Sequence, residues 1–469
     1  MDRDELCFTP ATELAGLIRR KAVSPVEATR AVLDRIAAHD ARINAFAVLD
    51  ADGALAAARV AEDAVMAGAE LGPLHGVPAT VKDLADVRGL PTRRGSHAGP
   101  TEPAAADTPF AGRLRRAGAI ILGKTTTSEY GWTGVSRSPL TGITHNPWRH
   151  GHNAGASSAG AGAAAAAGFG PLHQGSDGAG SIRMPAHFCG VFGLKPSFGR
   201  VPNWPVPNND QTSHNGPLTR TVADAALMLQ VMAGPSALDH WSLEAPPADY
   251  PARLGEGIAG MRVAYSADLG HARVDPEVAA CVADAVRAFA DLGVAVEEVP
   301  APFGPEAPEL VRFMWSVHMA HAGARYLERF RDRMDPGFVA CVEAGLGRSA
   351  DDYLAARARK LAYVEGVHRF FQDWDLLLTP AVSVAAFPAD RLQPAHWPEH
   401  PWDWVSWAEF SYPFNFAGTP AASVPCGFTT GGLPVGLQIV GRRFADLTVL
   451  QASAAFEAAR PWAERRPPL

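Results

Sequence analysis

Cysteine is scarce in this chain: five in 469 residues (Cys7, Cys189, Cys281, Cys341 and Cys426), with no CxxC pair among them. An odd, scattered set builds neither a disulfide framework nor a zinc site, and free thiols in a reducing compartment are the plain expectation. Long apolar runs are missing as well. The most apolar stretch, residues 159–170, is rich in Ala and Gly and falls short of the roughly 20 residues that span a bilayer. The opening MDRDELCFTP is acidic and lacks the apolar centre of a signal peptide. Both absences point to a cytoplasmic protein with no membrane partner. Charged residues make up only 19%, too few for a disordered solvated chain. The formal net charge of −7 argues against nucleic acid as a partner. No GxSxG elbow surrounds a serine, so the usual Ser-His-Asp arrangement has no foothold. His318 and His321 stand three apart on an expected helix, without an evident third ligand; they read as ordinary histidines and no metal site is expected.

What is present is an alternation of strands and helices. Apolar residues recur at three and four through residues 10–70, predicting helices, with Ser24-Pro25 as a helix start and a further helix from Asp50 to Met66. HGVPATVKDL and AGAIILGKTT read as buried strands. MRVAYSA, DPEVAACVADAVRAFADLG and VAVEEV read as strand, helix, strand. Residues 305–372 read as mostly helical, and WDLLLTPA, ASVPCGF and VGLQIVG as late strands. This order predicts an α/β fold, one domain over 1–469 with a central mixed sheet covered on both faces by helices. Its expected parts are a helical 10–70, a core at 71–235, a variable 236–410 and a closing 411–469.

Two familiar patterns fail on context. Gly118 to Thr125 matches GxxxxGK[ST], but its middle residues are Ala, Ile, Ile and Leu, which belong in a strand rather than a phosphate loop. Gly160-x-Gly162-x-x-Ala165 lacks the preceding strand of a dinucleotide site and reads as a tightly packed small-residue helix. The informative stretch is 151–202, where glycines and serines cluster at 155–160 and 175–181 around an Ala-rich helix. Such clusters are either ordinary turns or loops that offer hydroxyls and free N–H groups to a small ligand.

GASSAGAGAAAAAG…GSDGAGSIRMPAHFCGVFGLKPSFGRV resembles the signature region of the amidase-signature family, which typically reads GGSSGGS…GTDTGGSIRxPAxFCGVxGLKPTxGRV. GPLHGVPATVKDL resembles its lysine motif, and FNFAGTPAASVPCGF and GLPVGLQIVGRRFAD resemble its C-terminal strands. The likeness covers at least 10–230 and 370–460. It implies the amidase-signature fold and a serine amidase: Lys82 as base, Ser157 as the bridging serine after a cis peptide bond, and Ser181 as nucleophile. It also implies an oxyanion hole from the backbone N–H groups of Gly178, Ala179, Gly180 and Ser181. Ser158, Ser176, Asp177 and Arg183 would support these groups, Ser176 by holding Ser157 and Arg183 by pairing with a carboxylate. Ala156, Ala159, Ala161 and Ala179 stand where the family has Gly or Ser, and none of them removes a reacting group.

A lysine serves as a base only when neutral, which burial favours. The implied reaction is attack by Ser181 on an amide, anilide or carbamate carbonyl, with hydrolysis of the acyl-enzyme by the same relay. It needs no metal or organic cofactor, and many members form homodimers. Tyr130, Trp132 and Trp315, with aromatics of 395–414, are candidates for the pocket wall, core packing being the competing role for the tryptophans. The alternative is the A subunit of a glutamyl-tRNA amidotransferase. Against it, this chain has SIRMP for that subunit's SIRQP, and PNNDQTSHNGPLTR for its SSLDQIGPxTR.

Overall fold

The computed structural model describes residues 2–469. Eleven strands form one mixed sheet. Across the sheet they run Phe46–Leu49, Ile120–Thr125, Pro78–Lys82, Leu172–Asp177, His214–Thr219 and Phe192–Lys195. They continue with Ala421–Phe428, Pro434–Gly441, Leu376–Pro380, Val263–Tyr265 and Val296–Glu298. Pro78–Lys82 lies parallel to both Ile120–Thr125 and Leu172–Asp177. Parallel neighbours need both faces covered, and all five residues of Pro78–Lys82 are buried. Their shared direction brings Lys82, Thr125 and Asp177 to the same carboxyl edge. That edge is where open α/β sheets bind ligands.

The expected helices are largely present. Ser24 caps Pro25–Ile43, its hydroxyl accepting from the N–H of Val26 and Glu27. Asp50 caps Ala51–Met66. Residues 305–372 carry three helices, Ala307–Phe330, Pro336–Leu346 and Ala350–Asp373. The GxxxxGK[ST] segment is a strand paired on both sides, so its backbone has no free N–H array for phosphate. Ala159–Ala167 is a fully buried helix.

Two expectations need correction. The 10–70 region is not wholly helical, because Phe46–Leu49 pairs antiparallel with Ile120–Thr125. The second Gly/Ser cluster is not all loop, because Leu172–Asp177 is a sheet strand. Of the aromatics of 395–414, Trp404, Trp407, Phe410, Tyr412 and Phe414 are fully buried. They belong to a second core, with Trp132, Ala179, Met184, Phe188 and Phe338, that abuts the Ser181 loop.

Candidate active site

Lys82 ends its strand with a completely buried side chain. Its Nζ lies 2.7 Å from Ser157 Oγ, 3.0 Å from Ser176 Oγ and 3.3 Å from the Ser176 carbonyl. No carboxylate pairs with it among the described residues, and burial holds its ammonium well below the ordinary 10.5, with Asp177 opposing. Ser157 follows a cis peptide bond from Ala156. The Ala156 N–H donates to the Gly134 carbonyl at 3.0 Å, and Gly134 in turn packs against Trp404 and Trp407. The aromatic core therefore supports the serine from behind. Gly131 presents its bare Cα side to the Ser157 hydroxyl; a Cβ there would lie 3.1 Å from Oγ at a positive φ of 73°.

Ser181 lies where the loop after Leu172–Asp177 turns into the helix Arg183–Cys189. It is 2% exposed. The Ser158 N–H donates to its carbonyl at 3.3 Å, which ties the two serine loops together. Ser158 Oγ also accepts from the Ser176 N–H at 3.2 Å and donates to the Ser176 carbonyl at 3.1 Å. Ser176 thus meets Lys82 directly, and not Ser157 as the motif implied. The Ser181 hydroxyl itself has no hydrogen-bond partner among the described residues; a loose contact to the neighbouring serine is common in unliganded sites of this kind.

Asp177 organises the loop. Its carboxylate accepts from the N–H of Gly180 at 2.7 Å and of Ile182 at 3.2 Å. It also accepts from Arg183 Nε and Nη2 at 3.0 and 2.9 Å, and from Asn415 Nδ2 at 2.8 Å. Burial alone would raise this acid, but Arg183 overrides it and holds the carboxyl well below the usual range. The remaining Arg183 donors go to the Ser411 carbonyl, Gln438 Oε1 and Asn415 Oδ1 at 2.9, 2.8 and 2.6 Å. All five guanidinium N–H groups are thereby used, the full complement of that side chain.

This knot changes the oxyanion assignment. The Gly180 N–H is committed to Asp177, so it is not free for a ligand. Among the described residues, the N–H groups of Gly178, Ala179 and Ser181 have no protein acceptor. Gly180 instead makes space. At φ 111° its absent side chain leaves room for Ser411, whose Oγ would lie 2.4 Å from a Cβ. Sequence reasoning also missed Asn415 and Gln438, whose signal lay only in the two C-terminal motifs.

The candidate wall residues divide. Trp315 lies beside Gly178, its ring 3.8 Å from where a Cβ would sit, and its Nε1 donates to the Trp132 carbonyl at 3.0 Å. Trp132 is fully buried in the core. Tyr130 stacks on Tyr326 and Phe338, with centroids at 5.3 and 5.8 Å. Surface hollows of about 540 and 580 Å³ are lined by 390–401 and by His97, Arg137 and 332–336, and neither includes a residue of the serine loops. Ser176 and Gly178 are the half-buried rim of the site itself. His318 is buried and His321 lies toward Asn208. No cluster of metal-ligating side chains occurs among the described residues, and no helix there is long and apolar enough to cross a membrane.

Comparison with known proteins agrees with this geometry. An acylamidase from Rhodococcus erythropolis is 39% identical over 100% of this chain and 98% of its own length. The A subunit of a glutamyl-tRNA amidotransferase from Moorella thermoacetica is 35% identical over 99% of each chain. A bacterial aryl acylamidase structure of the amidase-signature family superposes with a TM-score of 0.90 at 30% identity, covering 98% of this chain and 99% of that one. The family model described as Amidase matches residues 27–450. The chain therefore belongs to the amidase family and is a hydrolase of C–N bonds other than peptide bonds.

Proposed function

We propose that this enzyme hydrolyses aryl amides through a Ser181 acyl-enzyme, with Ser157 relaying protons to and from Lys82. The observation that carries the reading is the setting of Lys82 Nζ. A neutral amine has two N–H bonds and one lone pair. The Ser176 carbonyl can only accept, and Ser176 Oγ is already close enough to accept the second N–H. The lone pair is then left for the Ser157 hydroxyl at 2.7 Å. Burial without a counter-ion supports the neutral form.

Ser157, so deprotonated, takes the Ser181 proton as Oγ attacks the carbonyl carbon, and returns it to the leaving amine. Water then enters by the reverse path. The N–H groups of Gly178, Ala179 and Ser181 receive the developing oxyanion; one such donor is worth roughly 10²–10³ in rate. The uncharged aromatic core around Trp315 suits an aryl-bearing, neutral substrate. An aryl carbamate presents the same carbonyl to the same donors, so urethane cleavage is the expected secondary activity. The reaction calls on no metal or cofactor.

The test compares wild type with Ser181→Ala on a chromogenic anilide, a matched aryl carbamate and a short aliphatic amide. The anilide should be released fastest, and the variant should lose at least about 10³-fold. Substantial turnover by Ser181→Ala would sink the assignment. The likeness to amidotransferase A subunits favours a second reading, in which ammonia is passed to an aminoacyl-tRNA. Glutamine-dependent ammonia release together with co-purifying subunits, and silence on all three substrates, would establish that reading instead.

A further inference from the structure

We propose that Asp210 is a positioning residue that pins residues 203–213 as one wall of the substrate site, and so sets which substrate sizes are accepted. The proposal rests on the Ser181 site described above.

Gly178, with Ser176, forms the half-buried rim of that site. The groups nearest to where its Cβ would be are Ser213 Oγ, at 3.7 Å, and the Trp315 ring, at 3.8 Å. Ser213 is not independently rigid. Its hydroxyl accepts from Asn209 Nδ2 at 2.5 Å and its carbonyl from Asn203 Nδ2 at 3.3 Å, both from the same loop. At its far end the loop is tied to the oxyanion knot, since Asn415 Nδ2 donates both to the Thr212 carbonyl and to Asp177.

The apex is strained and latched. Asp210 and Gln211 are consecutive left-handed residues, at φ 51° and 65°. Neither is glycine, so the conformation persists only where surroundings impose it. The imposing contacts come from one helix, Ala350–Asp373. Arg357 Nε donates to Asp210 Oδ1 at 3.0 Å, and Lys360 Nζ donates to Oδ2 at 2.6 Å and to the Asp210 carbonyl at 2.9 Å. Asp210 and Lys360 are 9% and 5% exposed at the side chain, so water does not replace this pairing. The same loop reaches His321 through Asn208 at 3.4 Å, and His321 shares the helix Ala307–Phe330 with Trp315. One carboxylate therefore sets the spacing between Ser213 and Trp315 across Gly178. With the latch open, the wall retreats, compact substrates lose contact and bulkier ones gain room.

The experiment uses Asp210→Asn, and Asp210→Asn with Lys360→Met, in which no buried charge is left unpaired. Each is assayed on two p-nitroanilide series, one lengthening the acyl chain and one enlarging the aryl group. All variants are checked for Ser181 labelling by a fluorophosphonate probe. The expected result is a KM for the most compact substrate raised about tenfold with kcat little changed, and a KM for the bulkiest member of one series lowered relative to wild type. Equal loss across every substrate, through kcat, would mean that Asp210 only stabilises the fold and would overturn the proposal. So would kinetics like those of wild type. Wild type that neither turns over nor labels would overturn the Ser181 reading itself, and the proposal with it.

Discussion

Lys82 and Lys124 lie on neighbouring strands and are equally buried, but only Lys124 has a carboxylate beside it. Lys124 Nζ sits 3.2 Å from Asp83 and 3.0 Å from Thr92, so its charge is matched. Lys82 meets two hydroxyls and a carbonyl, so its charge is not. In the proposed relay the second is the base. With its folded-state pKa lowered, Lys82 is neutral over a range where an exposed lysine is charged. Activity should be complete above that lowered value and lost as pH falls through it, and this group adds no alkaline limb. A pH profile of kcat/KM tests the sign. Lys82→Arg, which keeps the bulk but never gives up its proton, should lose about 10²–10⁴-fold or more at every pH. A rate that returns at acid pH would contradict this role.

At the scale of elements, the helix Ala159–Ala167 shows why small residues recur beside the site. A Cβ on Gly160 would lie 2.2 Å from the Ala45 carbonyl and 2.4 Å from the Thr126 N–H. Gly→Ala in a helix normally gains about 1 kcal/mol. Here Gly160→Ala should instead destabilise by about 1–3 kcal/mol, as overpacking does, and shift the Ser157–Ser158 turn that starts the helix. A denaturation midpoint that rises would refute it. The long periodic helices and the apolar strands were legible in the sequence because their patterns are local. Phe46–Leu49 was not, being four residues wedged between two helical patterns. Leu172–Asp177 and His214–Thr219 carry Gly, Ser, Asn and Pro, and they are strands because they pair with each other and with Pro78–Lys82 and Phe192–Lys195 on their outer sides. The three candidate reacting residues, Lys82, Ser157 and Ser181, were legible through motifs. The engagement of Gly180 by Asp177 was not, because the glycine run alone does not say which N–H turns inward.

For the molecule as a whole, buried titratable groups of opposite sense offset one another. Burial pushes Glu129, Glu409 and Glu457 up to about 7. The folded state then holds their protons more tightly, so their contribution falls as pH rises from 4.5 to about 7. Burial also lowers His173 to about 3 and His187 and His318 to about 4. The stability those groups contribute is lost as pH falls below 6.5. The two slopes oppose each other between 4.5 and 6.5, and at lower pH the histidine loss is joined by that of Asp177 as its carboxyl is protonated. Thermal melts should show a plateau in that window and a steep acid fall. Replacing the three glutamates with glutamine should turn the plateau into a rise with pH; an unchanged plateau would refute the offset. The Arg183 knot reaches across the same whole. Its guanidinium joins Asp177 to Ser411, Asn415 and Gln438, up to 255 residues further along the chain. A ribosome that has finished the loop bearing Ser181 has not yet made the socket that shapes it. Until the strand bearing Gln438 emerges, the nascent chain holds the Ser181 loop without its template, so the loop takes its shape only late in synthesis.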